Sequence, residues 1–162
     1  MSASPDLQAL RHLLREGAFA HALDVLGDRW TLLVLRDAFL GVRRFEDFRR
    51  RTGAARGTLA IRLRHLVRQG LLRHERQSDL SRRMEYRLTD KGLALYPVAL
   101  CMWQWENRWG GEFGLPLRLV HVRCGESLSP SLDCATCSQP LSVRTLAYSV
   151  SPKTRAGTPP RR

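Results

Sequence analysis

A chain of 162 residues, 43% hydrophobic and 26% charged, has the length of one domain or of one domain with a small appendage. It carries enough apolar material to pack a core, which argues against a wholly disordered chain. Its 27 Lys and Arg against 15 Asp and Glu leave a formal charge of +12; Lys91 and Lys153 are the only lysines, so the basicity is almost entirely arginine. Such an excess points to a polyanionic partner, nucleic acid ahead of an anionic membrane. No apolar run approaches the roughly 18 residues of a membrane span. The first 20 residues, interrupted by Asp6 and Glu16, lack the apolar stretch of a signal peptide. A cytoplasmic location is expected, where four cysteines suggest metal before disulfides.

In chain order, residues 1–16 read as a helical arm. Phe19, Leu23 and Leu26 mark an amphipathic helix that stops at Gly27. Trp30 to Leu40 is apolar on several faces and is expected at the centre of the core, with Gly41 as its end. Phe45, Phe48 and Arg49-Arg50-Arg51 predict a short helix with buried aromatics and a basic outer face, ended by Gly53. Leu59, Leu63, Leu66 and Val67 then give one apolar stripe from about Ala55 to Gln69, opposite Arg56, Arg62, Arg64, His65 and Arg68. Ala55 offers no side-chain N-cap, which costs about 1 kcal/mol relative to Ser.

Leu71–Glu75 and Met84–Leu88 predict a β-hairpin around the polar, basic stretch 77–83. Thr89-Asp90 reads as the N-cap of one long helix to about Trp109, broken by Gly110-Gly111. Residues 112–148 hold a Cys/His cluster, and 149–162 form a Ser/Pro/Gly/Arg tail expected to be disordered. No internal repeat is evident.

Helix, short helix, turn, basic helix, hairpin is the order of a winged helix-turn-helix: the basic helix projects into a major groove and the wing reaches the flanking backbone or minor groove. Charge follows the same order. Residues 43–91 hold 14 Arg and one Lys against six acids, a net of +9, so most of the chain's excess lies on these elements. Arg49, Arg50 and Arg51 suit phosphates, because an arginine fork matches phosphate oxygens without reading a base. Arg56 and Arg62 can donate to guanine, Thr58 is an adaptable partner, and Ala60 or Ile61 can meet a thymine methyl. His65 shares the basic face. Arg82 and Arg83, at the wing tip, can take phosphate or enter a narrow minor groove.

Ala22-Leu23-Asp24-Val25-Leu26-Gly27-Asp28-Arg29-Trp30-Thr31-Leu32-Leu33, Arg43-Arg44-Phe45-Glu46-Asp47-Phe48, Thr58-Leu59 with Arg62-Leu63, and Glu85-Tyr86-Arg87-Leu88-Thr89 with Lys91-Gly92 resemble the HxlR-type transcriptional regulators over residues 17–110. The resemblance implies a mainly α winged helix-turn-helix with a small hairpin, and extra helices at about 17–27 and 89–109 through which two copies dimerise on a pseudo-palindromic operator. Phe19, Tyr96, Leu100, Trp103 and Trp105 are the expected dimer contacts, more apolar surface than one small core absorbs. Gly17 stands where many relatives have a sensing cysteine, so no thiol switch is expected there. Cys101, mid-helix, reads as a buried small hydrophobe.

His121-x2-Cys124, nine residues, then Cys134-x2-Cys137 is two pairs of donors that together close one tetrahedral zinc in a ribbon-like extension. With four protein ligands such a zinc is structural. A Cys134–Cys137 disulfide or free thiols, and another metal or a redox-responsive zinc release, are the alternatives. No nucleophile-base arrangement, phosphate-binding Gly loop or useful carboxylate pair is present, so no enzyme is expected. The sequence thus predicts domains at 1–16, 17–111, 112–148 and 149–162, and a homodimeric regulator of transcription on double-stranded DNA. That reading leaves room for an unknown small-molecule or redox effector. The competing reading is a basic RNA- or ribosome-associated zinc protein.

Overall fold

The computed structural model describes residues 19–76, 84–110, 119–128, 130–142 and 144–146. These fall into two compact units, Ala22–Ser131 and a second holding residues on either side of it. The expected arm at 1–16, the tail at 149–162 and the wing tip at 77–83, Arg82 and Arg83 included, lie outside the described residues.

Six helices and one hairpin are described: α1 (Ala20–Leu26), α2 (Arg29–Phe39), α3 (Phe45–Thr52), α4 (Arg56–Arg68), β1 (Leu72–Arg76), β2 (Met84–Leu88), α5 (Asp90–Leu93) and α6 (Tyr96–Trp109). α2 starts where Asp28 accepts the Thr31 backbone N–H at 3.0 Å, a side-chain cap on an otherwise orphaned donor. It is the core helix the sequence predicts, with Thr31, Val34, Leu35, Asp37 and Ala38 all buried. Phe48 from α3 and Leu59, Leu63 and Leu66 from α4 complete the core, each 0% exposed.

Gly53 ends α3 in the left-handed conformation, φ +71°, with its N–H on the Arg49 carbonyl. The chain then turns through buried Ala54 into α4. As the sequence predicts, Ala55 gives α4 no side-chain cap. β1 and β2 pair antiparallel in the register Leu72↔Leu88 to Arg76↔Met84. The Tyr86 N–H also reaches the Arg43 carbonyl at 2.8 Å, so the loop after α2 adds a single rung to the hairpin's free edge. The result is a mainly helical, winged-helix fold with a two-stranded antiparallel wing.

The long helix expected from Thr89 to Trp109 is two helices. Thr89 is the N-cap, its hydroxyl accepting the Gly92 N–H, but α5 ends at Leu93 and α6 restarts at Tyr96 with Pro97 in its first turn. Proline has no N–H to give the carbonyl four residues back, and its ring crowds that turn. Gly92 is buried because the chain folds tightly there: a Cβ would run into the Leu71 carbonyl and meet Leu88 Cδ2 at 3.0 Å.

A repeat does exist, in the extension. Residues 119–128 and 132–141 are the same knuckle thirteen positions apart, one in each unit. In the first, Leu128 N–H meets Leu119 O at 2.7 Å, His121 N–H meets Glu126 O at 2.9 Å and Gly125 N–H meets His121 O at 2.8 Å. In the second the bonds are Leu141 to Leu132 at 2.7 Å, Cys134 to Gln139 at 2.9 Å and Ser138 to Cys134 at 2.8 Å. Gly125 and Ser138 occupy the matching positive-φ position, +75° and +54°. Only Leu, Cys and Leu are identical between the two, too little for the sequence to show it.

Candidate nucleic-acid interface

Packing Leu59, Leu63 and Leu66 inward fixes which side of α4 faces out. Gly57, Ile61, Arg64 and Arg68 are exposed, with Ala60 half-buried beside them, at the i, i+3, i+4, i+7, i+11 spacing of a single helical stripe. Arg64 and Arg68 enter no ion pair among the described residues. Arg56, on the first turn, lies with its guanidinium carbon 5.2 Å from the centre of the Phe45 ring and its Nη1 2.8 Å from Glu46 Oε1.

The expected phosphate contacts from α3 are exposed, and each is engaged by an acid. Arg49 Nε sits 2.8 Å from Glu46 Oε2, Arg50 Nη2 is 2.6 Å from Asp47 Oδ1, and Arg51 Nε is 3.5 Å from Asp37 Oδ1. Glu46 thus links Arg49 of α3 to Arg56 of α4 across the turn. The hydrogen bond from Arg49, with the nearby positive charges, holds the Glu46 carboxyl below the usual carboxylate range.

Two residues expected on the outer face are turned elsewhere. Arg62 is 33% exposed in its side chain and pairs through Nε with Asp28 Oδ1 at 3.1 Å. This is an ion pair without the alignment of a hydrogen bond, since Nε has no hydrogen-bond partner among the described residues. His65 is half-buried, its Nε2 3.3 Å from the Val25 carbonyl near the end of α1. Both tie α4 to the elements behind it. Thr58 is half-buried and Ile61 exposed. Arg64 lies on the same outward stripe, four residues after Ala60 and three after Ile61.

The α6 surface is unusually apolar. None of its residues is fully buried, and Tyr96, Val98, Met102, Trp105 and Trp109 are exposed. Leu100 and Trp103 are half-buried, as is Cys101, which is less enclosed than expected. On α1, Leu23 is exposed, and Phe19 just before it is 78% exposed.

In the first knuckle His121 Nδ1 stands 3.2 Å from Cys124 Sγ. In the second, the backbone N–H groups of Cys137 and Thr136 hold the Cys134 thiol below the usual thiol range. All four cysteines are free. Among the described residues no three His, Cys, Asp or Glu side chains gather as metal ligands; what the structure describes is two two-donor knuckles. Nor, among these residues, is any helix long and apolar enough to cross a membrane.

Comparison with known proteins agrees with this geometry. The profile of the HxlR-like helix-turn-helix family matches residues 25–113. The chain is 38% identical over 152 residues, 91% of its own length and 94% of the relative's, to the uncharacterized HTH-type transcriptional regulator Rv3095 of Mycobacterium tuberculosis. It is 33% identical over 90 residues, 55% of this chain and 67% of the other, to sll1512 of Synechocystis, a protein of the same description. Among solved structures it resembles PA1607, a candidate transcription factor, with a TM-score of 0.75 and 33% identity over 87% of this chain and 99% of that one.

Proposed function

Because the chain belongs to the HxlR-like helix-turn-helix family, we propose that it regulates transcription by binding a pseudo-palindromic duplex site as a homodimer and controlling access of RNA polymerase. The observation that carries this reading is the outward stripe of α4, flanked by the arginines of α3. A helix presenting small residues, one branched apolar side chain and two arginines that, among the described residues, have no carboxylate partner is suited to a major groove, where arginine reads guanine and apolar groups meet thymine methyls. Arg56, Ala60, Ile61 and Arg64 are the proposed readers, with Thr58 beside them. Arg49, Arg50, Arg51 and Arg68 are proposed for phosphates, along with Arg82 and Arg83 of the wing.

Dimerisation is proposed through α6, because a fourteen-residue helix with five exposed large apolar side chains leaves a patch that monomers rarely expose. Val98, Met102, Trp105 and Trp109, at i, i+4, i+7 and i+11, form one stripe of it, with Tyr96, Leu23, Phe19, Leu100 and Trp103 as further contacts. Footprinting on genomic fragments, with sedimentation of wild type and Trp105→Glu, tests both halves. A dyad-symmetric footprint, and a variant that sediments as a monomer and binds weakly, are expected. A preference for structured RNA over any duplex would overturn the reading.

For His121, Cys124, Cys134 and Cys137 we propose a structural zinc. The donor set fits: three thiols and an imidazole satisfy a tetrahedral ion without an open position. Two matched knuckles, each bringing a donor pair onto one turn, favour metal over a Cys134–Cys137 disulfide. Protein purified without chelator should carry one zinc per chain and lose it in Cys134→Ser; a metal-free, folded wild type would refute the assignment.

A further inference from the structure

We propose that the half-open cavity between α1, α2 and α6 is an effector site for a small apolar acid, and that it communicates with the DNA-facing surface through Arg36, Asp37 and Arg51. The second half rests on the DNA-binding reading; the first does not.

The cavity holds about 230 Å³ and is walled by apolar side chains such as Leu26, Leu33, Phe39, Ala99 and Trp103, with Arg36 and Glu106 as its only charged residues. An apolar cavity of about 150 Å³ accepts benzene, so this one suits a molecule of about ten heavy atoms. Val98, Met102 and Trp103 wall it and also border the face proposed to meet the second copy, whereas Trp105 and Trp109 lie on that face alone. Arg36 supplies the one positive charge, so an anionic group is the polar handle the cavity recognises. Glu106 disfavours a second anionic group.

What lies behind Arg36 gives the site a consequence. Asp37 is 0% exposed. Its Oδ1 accepts from Arg36 Nε at 3.1 Å and Nη2 at 3.0 Å, and lies 3.5 Å from Arg51 Nε. Oδ2 has no hydrogen-bond partner among the described residues. A buried carboxylate so sparsely satisfied depends on its two cations. An acid in the cavity competes with Asp37 for Arg36. Once Arg36 turns to the ligand, Asp37 retains only Arg51 and draws it inward, off the surface of α3 where it is proposed to meet phosphate. Acid binding therefore weakens DNA binding, and by linkage DNA weakens acid binding.

The test uses the full chain with benzoate, phenylacetate and hexanoate, each beside its neutral amide, read by thermal shift and by titration against the footprinted duplex. At least one acid should raise the melting temperature and weaken duplex binding about fivefold or more, while its amide does neither. Arg36→Gln should abolish both responses. Ala99→Phe, which fills the cavity, should abolish acid binding and keep duplex binding. The site is overturned if no acid shifts melting, if amides act as well as acids, or if Ala99→Phe changes the oligomeric state and leaves acid binding intact. The coupling is overturned if an acid binds and duplex affinity stays constant. Failure of the wild type to bind any duplex sinks the DNA reading instead, because the melting response scores the cavity without DNA.

Discussion

Replacing Arg62 and Arg64 separately by Ala separates two sides of one helix. Arg62 faces Asp28, at 3.1 Å through Nε with both side chains about one-third exposed. Asp28 keeps its bonds to the Thr31 N–H and hydroxyl whichever residue is at 62, so α2 retains its cap. The loss is one partly screened ion pair, at most about 1 kcal/mol of folding stability. Duplex affinity should change less than about twofold, below 0.5 kcal/mol. Arg64 is exposed and in no ion pair among the described residues, so its removal should leave stability within about 0.5 kcal/mol. As a base reader it should cost about 1–3 kcal/mol on the best site, which is about 5- to 150-fold in affinity. Fluorescence anisotropy on the cognate duplex and on single-base variants, with urea unfolding for stability, measures all four quantities. The orientation of α4 is refuted if Arg62→Ala relaxes base choice while Arg64→Ala binds like wild type.

Ala55→Ser should add about 1 kcal/mol of stability by capping α4, seen as a higher urea midpoint with an unchanged slope; no change would mean that the α4 amides are satisfied without a cap. Gly92→Ala should cost about 1–3 kcal/mol or more as an overpacked site, because its methyl meets the Leu71 carbonyl and Leu88; a neutral result would show that the α5 turn relaxes freely. Glu46→Gln removes the charge shared by Arg49 and Arg56. Binding to random duplex should tighten, and the salt dependence should steepen by about one unit. The Glu46 carboxyl is held low in the folded chain, so its stabilising effect is present above the ordinary carboxylate pKa and fades as pH falls through the lowered value. Acid titration of Glu46→Gln should lack that component.

Element order and turns were legible because the glycines at 27, 53, 70 and 110 fall between apolar stripes of clear helical period. The hairpin was legible from two short strand-like runs. What failed at Pro97 was a local rule outweighed by the pattern: Leu93, Leu95, Tyr96 and Val98 continue an apolar run through a residue that cannot donate its N–H. What failed at Arg62 was residue type outweighing geometry. Position 62 lies three residues after Leu59 and four before Leu66, on the flank of the buried stripe, and the guanidinium suggested the outer face although the spacing did not. The knuckles were legible from donor spacing. Their duplication was not, because it resides in backbone hydrogen bonds rather than in side chains.

Formal charge overstates what this surface offers a polyanion. Residues 43–91 sum to +9, yet Arg49, Arg50, Arg51 and Arg56 already face carboxylates. A phosphate must displace or share each of those partners, so non-specific attraction is weaker than the count implies. The same pairs hold long side chains near the geometry a phosphate would require, which lowers the entropy lost on binding. Weak general attraction combined with preset forks favours a site where every arginine finds its acceptor over a sequence where only some do, and that difference is what discrimination between sites consists of. Arg64 and Arg68, in no ion pair among the described residues, are the cations of the outward stripe left to such an acceptor.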